Sequence, residues 1–160
     1  MKNELLDEKN ENEKLYYSMS KEMIEKYDLV RTKENVEKLI SEYKTAKFQY
    51  LASEQKLKNI SMCYEPKYNQ FTEHVSDKIG DNVGKLVDSK NVIEYFDSVF
   101  NPLFTMMSEQ ERKYYSICLI NNNSEQIVAD ILGISRTGLI PIKQNCIIKI
   151  ALAFHIAIMK

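Results

Sequence analysis

Glycine and proline are scarce in this sequence, and residues 3–60 contain neither of them. These two residues are the strongest local signals for ending a helix, so their absence over such a stretch favours long, uninterrupted helices. Hydrophobic residues make up 44% of the 160 positions, which is enough apolar material for a buried core. We therefore predict an all-α protein and assign residues 1–60 to an N-terminal helical region.

Apolar residues within 33–60 recur with the seven-residue spacing of a coiled coil. The repeating positions are Val36, Tyr43, Tyr50 and Leu57, with Leu39, Ile40 and Ala46 between them. This pattern fits two structures, an amphipathic helix that packs within its own chain and an intermolecular coiled coil. An earlier helix, over roughly residues 4–30, is a candidate partner for a hairpin with this one.

The middle of the sequence, residues 61–90, has no sustained period. It holds few large aliphatic residues and three helix-breaking ones, Pro66, Gly80 and Gly84. This composition predicts a linker, and its segment "GDNVGK" lacks the GxxxxGK[ST] spacing of a phosphate-binding loop. Helical patterning resumes at Val92 and meets Pro102, which we expect to end or kink that helix. Residues 91–160 are assigned to a C-terminal domain.

Capping signals divide this domain into short helices. Ser108 and Glu111 have the spacing of a capping box, and "NNN" at 121–123 closes the helix that follows it. Ser124 and Ser135 are placed to cap two further helices, with Gly133 between them where the chain needs a positive φ. The apolar residues expected to face inward are Ile127, Val128, Ile131 and Leu132, then Leu139, Ile142, Cys146 and Ile150, with small Ala129 at the helix crossing. This ordered set predicts a helix-turn-helix.

The segments "MSEQERKYY", "VADILGISRT" and "IIKIAL" fall in one order within residues 107–152. In that order they resemble region 4 of bacterial sigma factors, and the longer pattern over 33–156 resembles the ArpU/RinA-type phage regulators of late genes. The resemblance implies a helical N-terminal part, a sigma-region-4-like C-terminal domain and DNA-binding transcriptional regulation in a phage or prophage. Double-stranded DNA is the implied partner, and RNA polymerase is a further candidate.

The recognition helix of such a domain presents polar residues to DNA, and the family pattern places Arg136 and Thr137 there. Arg136 has the fork for a bidentate guanine or phosphate contact, and Thr137 suits a base edge or a phosphate. Ile140 and Pro141, the next positions of the pattern, offer no hydrogen-bond readout, and Pro141 is expected to kink the helix. Further phosphate contacts are expected from Lys143, Gln144 and Lys149.

The C-terminal run from Cys146 to Met159 is apolar except at Lys149 and His155. We interpret the run as a buried helix, because it is too short to span a membrane. A helix that is apolar all round must be covered all round, either by the N-terminal helices or by a second chain. Because a dimer would also double the sparse DNA contacts, the sequence favours a homodimer. The alternative function is a protein-interaction module in which Ile140 and Pro141 form an apolar contact patch.

Charge and composition do not favour a nucleic-acid coat protein, a metalloprotein or an enzyme. The formal net charge is −1, so the chain lacks the strongly basic balance of a nucleic-acid coat. Its three cysteines are widely spaced without metal-ligand spacing, which predicts reduced thiols, no metal site and a cytoplasmic protein. Glu73 and His74 have no identifiable orienting group, and His155 is expected to be a core histidine. We therefore expect no enzyme activity and no cofactor.

Overall fold

The structure is a computed structural model that describes the backbone of residues 19–62 and 73–160 and the side chains of 19–59 and 80–160. The described residues are mostly helical, and their only β-type pairing is an isolated antiparallel bridge between Tyr27 and Met159. The predicted all-α class is therefore confirmed. The helices are α1 (Lys21–Ile24), α2 (Leu29–Met62), α3 (Glu73–Met106), α4 (Glu109–Tyr114, continued by a π-helical turn over Tyr115–Ile120), α5 (Glu125–Leu132) and α6 (Arg136–Ala153).

The chain divides into two compact units. One unit, here called the hairpin unit, is Ser41–Ser98. The other, called the helix-turn-helix unit, combines Met1–Ile40 with Val99–Lys160.

In the hairpin unit, α2 packs against α3. The rings of Tyr43 and Phe96 stack with centroids 3.9 Å apart, and the Tyr43 hydroxyl donates to Asp97 Oδ1 at 2.7 Å. Ser89 contacts Gln49 Oε1 at 3.5 Å. Because Tyr43 meets Phe96 while the later Gln49 meets the earlier Ser89, the two helices run antiparallel.

Over residues 36–46 the seven-residue seam is therefore packed within its own chain, as in the first of the two structures that the sequence left open. Val36, Ile40, Tyr43 and Ala46 are all buried. Within the hairpin unit α2 packs against α3, and the expected pairing with a helix over 4–30 falls mostly on residues outside the described part of the chain. Within residues 19–30, only α1 and the start of α2 are helical, and residues 1–18 lie outside the described part of the chain.

Residues 73–90, expected to be linker, are the first half of α3. Gly80 and Gly84 lie in the helix with no neighbouring atom within 4 Å of a built Cβ, so they lower helix propensity without interrupting it. The helix also continues past Pro102 to Met106. Nearby aromatic packing accounts for this, because the Phe100 ring stacks on Tyr115 at 4.3 Å and so holds this end of α3 in place. Residues 63–72, with Pro66, lie outside the described residues.

The C-terminal run is not one helix. α6 ends at Ala153, and His155 is exposed with a φ of 56° instead of lying in the core. The following residues extend along the start of α2, where Asp28 N donates to Ile158 O at 2.8 Å. Ile158 N in turn donates to the buried Thr32 Oγ1 at 3.1 Å, and Asn35 Nδ2 donates to Ile156 O at 3.1 Å.

The apolar run is covered without a second chain. Ile147, Ile148, Ile150 and Ala151 are all buried within the single chain. A second chain is therefore not required to cover α6, and the homodimer stays a prediction without its main support.

Candidate nucleic-acid interface

Gly133 and Ser135 form the turn between α5 and α6, one by ending the first helix and the other by capping the second. Gly133 ends α5 in the left-handed conformation with φ 64°, and the amide of Ile134 returns to Ala129 O at 3.0 Å. A built Cβ on Gly133 has no neighbour within 4 Å, so the backbone conformation and not space requires glycine there. Ser135 caps α6 by accepting from Gly138 N at 3.1 Å.

The neighbouring caps are mostly as predicted. Ser108 and Glu111 form both bonds of the capping box, at 3.0 Å and 2.9 Å. Ser124 occupies the N-cap position of α5, although its side chain makes no capping bond.

Apolar packing holds the two helices together. Val128 and Ala129 of α5 and Leu139, Cys146 and Ile150 of α6 are buried, as the predicted inward stripes require. Two residues that were predicted to face inward do not. Ile127 is 42% exposed and Ile131 55% exposed, because the buried face of α5 passes through Val128 and Ala129 and leaves the adjacent stripe outside.

Arg136 and Thr137 are exposed at the start of α6, directly after the turn. The Arg136 Nε donates to Gln126 Oε1 at 2.5 Å, and Gln126 Nε2 donates to Asp130 Oδ1 at 2.6 Å. The hydroxyls of Thr137 and Ser135 lie 2.9 Å apart. The side chains predicted to read DNA are thus at the surface, and α5 holds the arginine.

Lys143 and Gln144 lie one to two turns further along α6. The Lys143 ammonium pairs with Glu125 Oε1 at 2.5 Å, and 26% of its side chain is exposed. Both residues line a groove of about 480 Å³ within this unit. The other lining residues are Ile140 and Ile147 of α6 and Leu29, Val30, Lys33, Glu34 and Glu37 of α2. Acidic groups therefore lie on both sides of these candidate phosphate contacts.

Lys149 is not at this surface, which corrects its predicted phosphate contact. Its ammonium lies 2.8 Å from Glu111 Oε2, and only 12% of the lysine side chain and 3% of the glutamate side chain are exposed. The same carboxylate completes the capping box of α4. The pair joins α4 to α6 and leaves little of the Lys149 ammonium exposed to a phosphate.

Ile140 and Pro141 remain at the surface, with Ile140 48% exposed. Pro141 lies inside α6 and the helix continues through it. Because proline has no amide hydrogen, the exposed Thr137 carbonyl lacks the usual donor four residues ahead. The apolar pair is therefore neither covered by the core nor equipped for base readout.

The described residues offer little for other chemistry. They contain no cluster of potential metal ligands and no helix long and apolar enough to cross a membrane. Cys118 and Cys146 are free thiols, and burial raises the pKa of both, as expected of unreactive cysteines. Cys63 and the side chains of Glu73 and His74 lie outside the described residues.

Comparisons with protein-family models, curated proteins and solved structures gave no match to this chain. The candidate site is therefore defined by its own geometry. Sequence reasoning missed Glu125 and Gln126, the first two residues of α5, which bond the basic side chains of α6. The only signal in the sequence was that polar residues begin the first helix of a predicted helix-turn-helix.

Proposed function

We propose that this protein is a DNA-binding transcriptional regulator of the sigma-region-4-like type from a phage or prophage. The observation that carries the proposal is the exposed guanidinium of Arg136 at the start of α6, directly after a capped turn with a left-handed glycine. In helix-turn-helix proteins, this end of the second helix enters the major groove and contacts base edges. Thr137 beside it supplies a hydroxyl for a base or a phosphate.

The supporting contacts are few. Lys143 and Gln144 are the remaining candidates for phosphate contacts. Lys149 is not among them, because its ammonium pairs with Glu111 and only 12% of its side chain is exposed. Lys143 must exchange Glu125 for a phosphate. We therefore expect modest and salt-sensitive affinity for a single copy. Two copies on adjacent half-sites would double the contacts, and this is now the only argument for a homodimer.

The test is binding to promoter-region DNA fragments over a salt series, with wild type, Arg136→Ala and Lys113→Ala. Lys113 is the matched control because it lies on α4 in the same unit and its loss changes the net charge equally. Wild type should hold one fragment at salt that releases the others. Arg136→Ala should weaken binding to that fragment by about 1–3 kcal/mol, while Lys113→Ala retains the preference.

Unchanged affinity in Arg136→Ala, with wild-type circular dichroism, would remove this residue from the interface. Equal release of all fragments from wild type would count against sequence-specific regulation.

The location expected for a regulator of this kind is the cytoplasm, with RNA polymerase as a further candidate partner.

The alternative function is a non-catalytic protein-interaction module. It is favoured by the exposure of Ile127, Ile131 and Ile140, three large aliphatic side chains on the two helices of the motif. An Ile127→Glu/Ile131→Glu variant separates the two functions. If purified RNA polymerase binds wild type and not this variant, while neither retains any DNA fragment preferentially, the interaction module is the better description.

A further inference from the structure

The side chain of Arg136 is held by a series of hydrogen bonds from the preceding helix. Gln126 accepts the Nε hydrogen of Arg136 at 2.5 Å, and its own amide nitrogen donates to Asp130 Oδ1 at 2.6 Å. Gln126 and Asp130 lie four residues apart on α5, so they share one face of that helix. The glutamine amide is thereby fixed at both ends, with its oxygen directed at the arginine.

This arrangement leaves a defined set of donors. A guanidinium has five N–H donors in a planar fork, and Gln126 takes the one on Nε. Among the described residues, no other side chain or carbonyl accepts a hydrogen bond from the two terminal nitrogens of Arg136. The Nη1 and Nη2 edge therefore remains to face an acceptor pair, and guanine O6 and N7 form such a pair in the major groove.

We propose that Gln126 is a positioning residue that orients Arg136 for bidentate recognition of guanine. This inference rests on the proposed DNA-binding function and adds the base that is read and the residue that directs the reader. A free arginine side chain must lose rotamer freedom when it binds, and an arginine already held by its Nε loses less. Gln126 acts on DNA only through Arg136, and Asp130 acts through Gln126.

The experiment is selection of double-stranded DNA from a randomised pool with the full-length protein. Wild type is compared with Arg136→Ala, Gln126→Ala and Gln110→Ala. Gln110 is a matched control because it is also exposed and is the second residue of its helix, α4, as Gln126 is of α5. Wild type should select a motif with one guanine whose preference is lost in Arg136→Ala.

Gln126→Ala should flatten the preference at that same guanine by about 10-fold, the worth of a modest part of a bidentate contact, and leave the other positions of the motif selected. Gln110→Ala should select the wild-type motif. Replacing the selected guanine by 7-deazaguanine removes the N7 acceptor and should weaken wild type by about 10-fold while leaving Arg136→Ala unaffected. Asp130→Asn keeps an acceptor for Gln126 and should keep the preference, whereas Asp130→Ala should reduce it.

A purely structural role for Gln126 would lower the melting temperature and weaken all positions together, and this result would overturn the inference. Full guanine preference in Gln126→Ala would also overturn it, while the proposed function would stand if Arg136→Ala still lost that preference. Failure of wild type to enrich any motif would overturn the proposed function and the inference with it. The outcomes therefore distinguish the two.

Discussion

The two halves of α6 each carry a lysine–glutamate pair, and the pairs differ in their surroundings. Lys143 and Glu125 meet in the first half, with 26% and 46% of their side chains exposed. Lys149 and Glu111 meet in the second half, with 12% and 3% exposed. Exposed pairs are worth little because water screens them, whereas a buried pair cannot lose one partner without a large penalty.

The two halves of α6 therefore have different roles. The second half packs against α4, where Lys149 contacts the buried Glu111, so this charge serves the fold. The first half faces solvent, so its charges can exchange partners with a ligand at low cost. A basic residue on a predicted recognition helix is therefore a DNA-contact candidate only where the fold leaves it accessible.

Glu111→Ala should have the largest effect. It removes the carboxylate that Lys149 contacts and one half of the capping box of α4. We expect a loss of about 3–5 kcal/mol in the free energy of unfolding, measured by chemical denaturation. A Glu111→Gln/Lys149→Met variant, which retains a capping side chain and removes both charges, should recover most of it.

Glu109→Ala is the control for this variant. Glu109 opens the same helix and pairs with Lys113 at the surface, so its removal should change unfolding only slightly. If Glu111→Ala is no more destabilising than Glu109→Ala, the distinction between the buried and the exposed pair is wrong.

Pro141→Gln tests the first half of α6 at the position where the helix lacks a backbone amide donor. Glutamine restores an amide donor toward the Thr137 carbonyl, and no core side chain is disturbed because position 141 is exposed. We expect a gain of up to about 3 kcal/mol, seen as a melting temperature raised by several degrees. A lowered melting temperature would show that the packing around position 141 requires proline.

Local features of the C-terminal helices were predictable from the sequence. The capping box at Ser108, the left-handed Gly133 and the cap at Ser135 each depend on residues within a few positions, and all three are present. The sequence predicted a linker where residues 73–90 form a helix, and the reason is physical. Gly80 and Gly84 weaken a helix, but that cost can be outweighed by packing elsewhere along α3, which no local pattern reports.

The second half of α6 was predicted less well because its partners are distant in the chain. Lys149 contacts Glu111, 38 residues away. Beyond the end of α6, Ile158 donates its amide to Thr32, 126 residues away. An apolar run in the sequence predicts that these residues are buried, but it does not identify the residues that pack against them. Packing within the single chain therefore covers this half of α6, and the homodimer stays a prediction without that support. The contact of Lys149 with Glu111 leaves a predicted site residue little exposed.

Glu125→Gln should have the smallest effect on stability and a specific effect on DNA. Because the pair with Lys143 is exposed, we expect the free energy of unfolding to change by less than about 1 kcal/mol. Freeing Lys143 for a phosphate should raise affinity for all fragments alike, by about 3-fold at low salt, and steepen the salt dependence by about one phosphate contact. Glu109→Gln is the matched control, since Glu109 is also the first residue of its helix and is also paired with a surface lysine. If Glu125→Gln and Glu109→Gln bind DNA equally, Lys143 makes no phosphate contact, and the exposed half of α6 reads DNA through Arg136 and Thr137 without it.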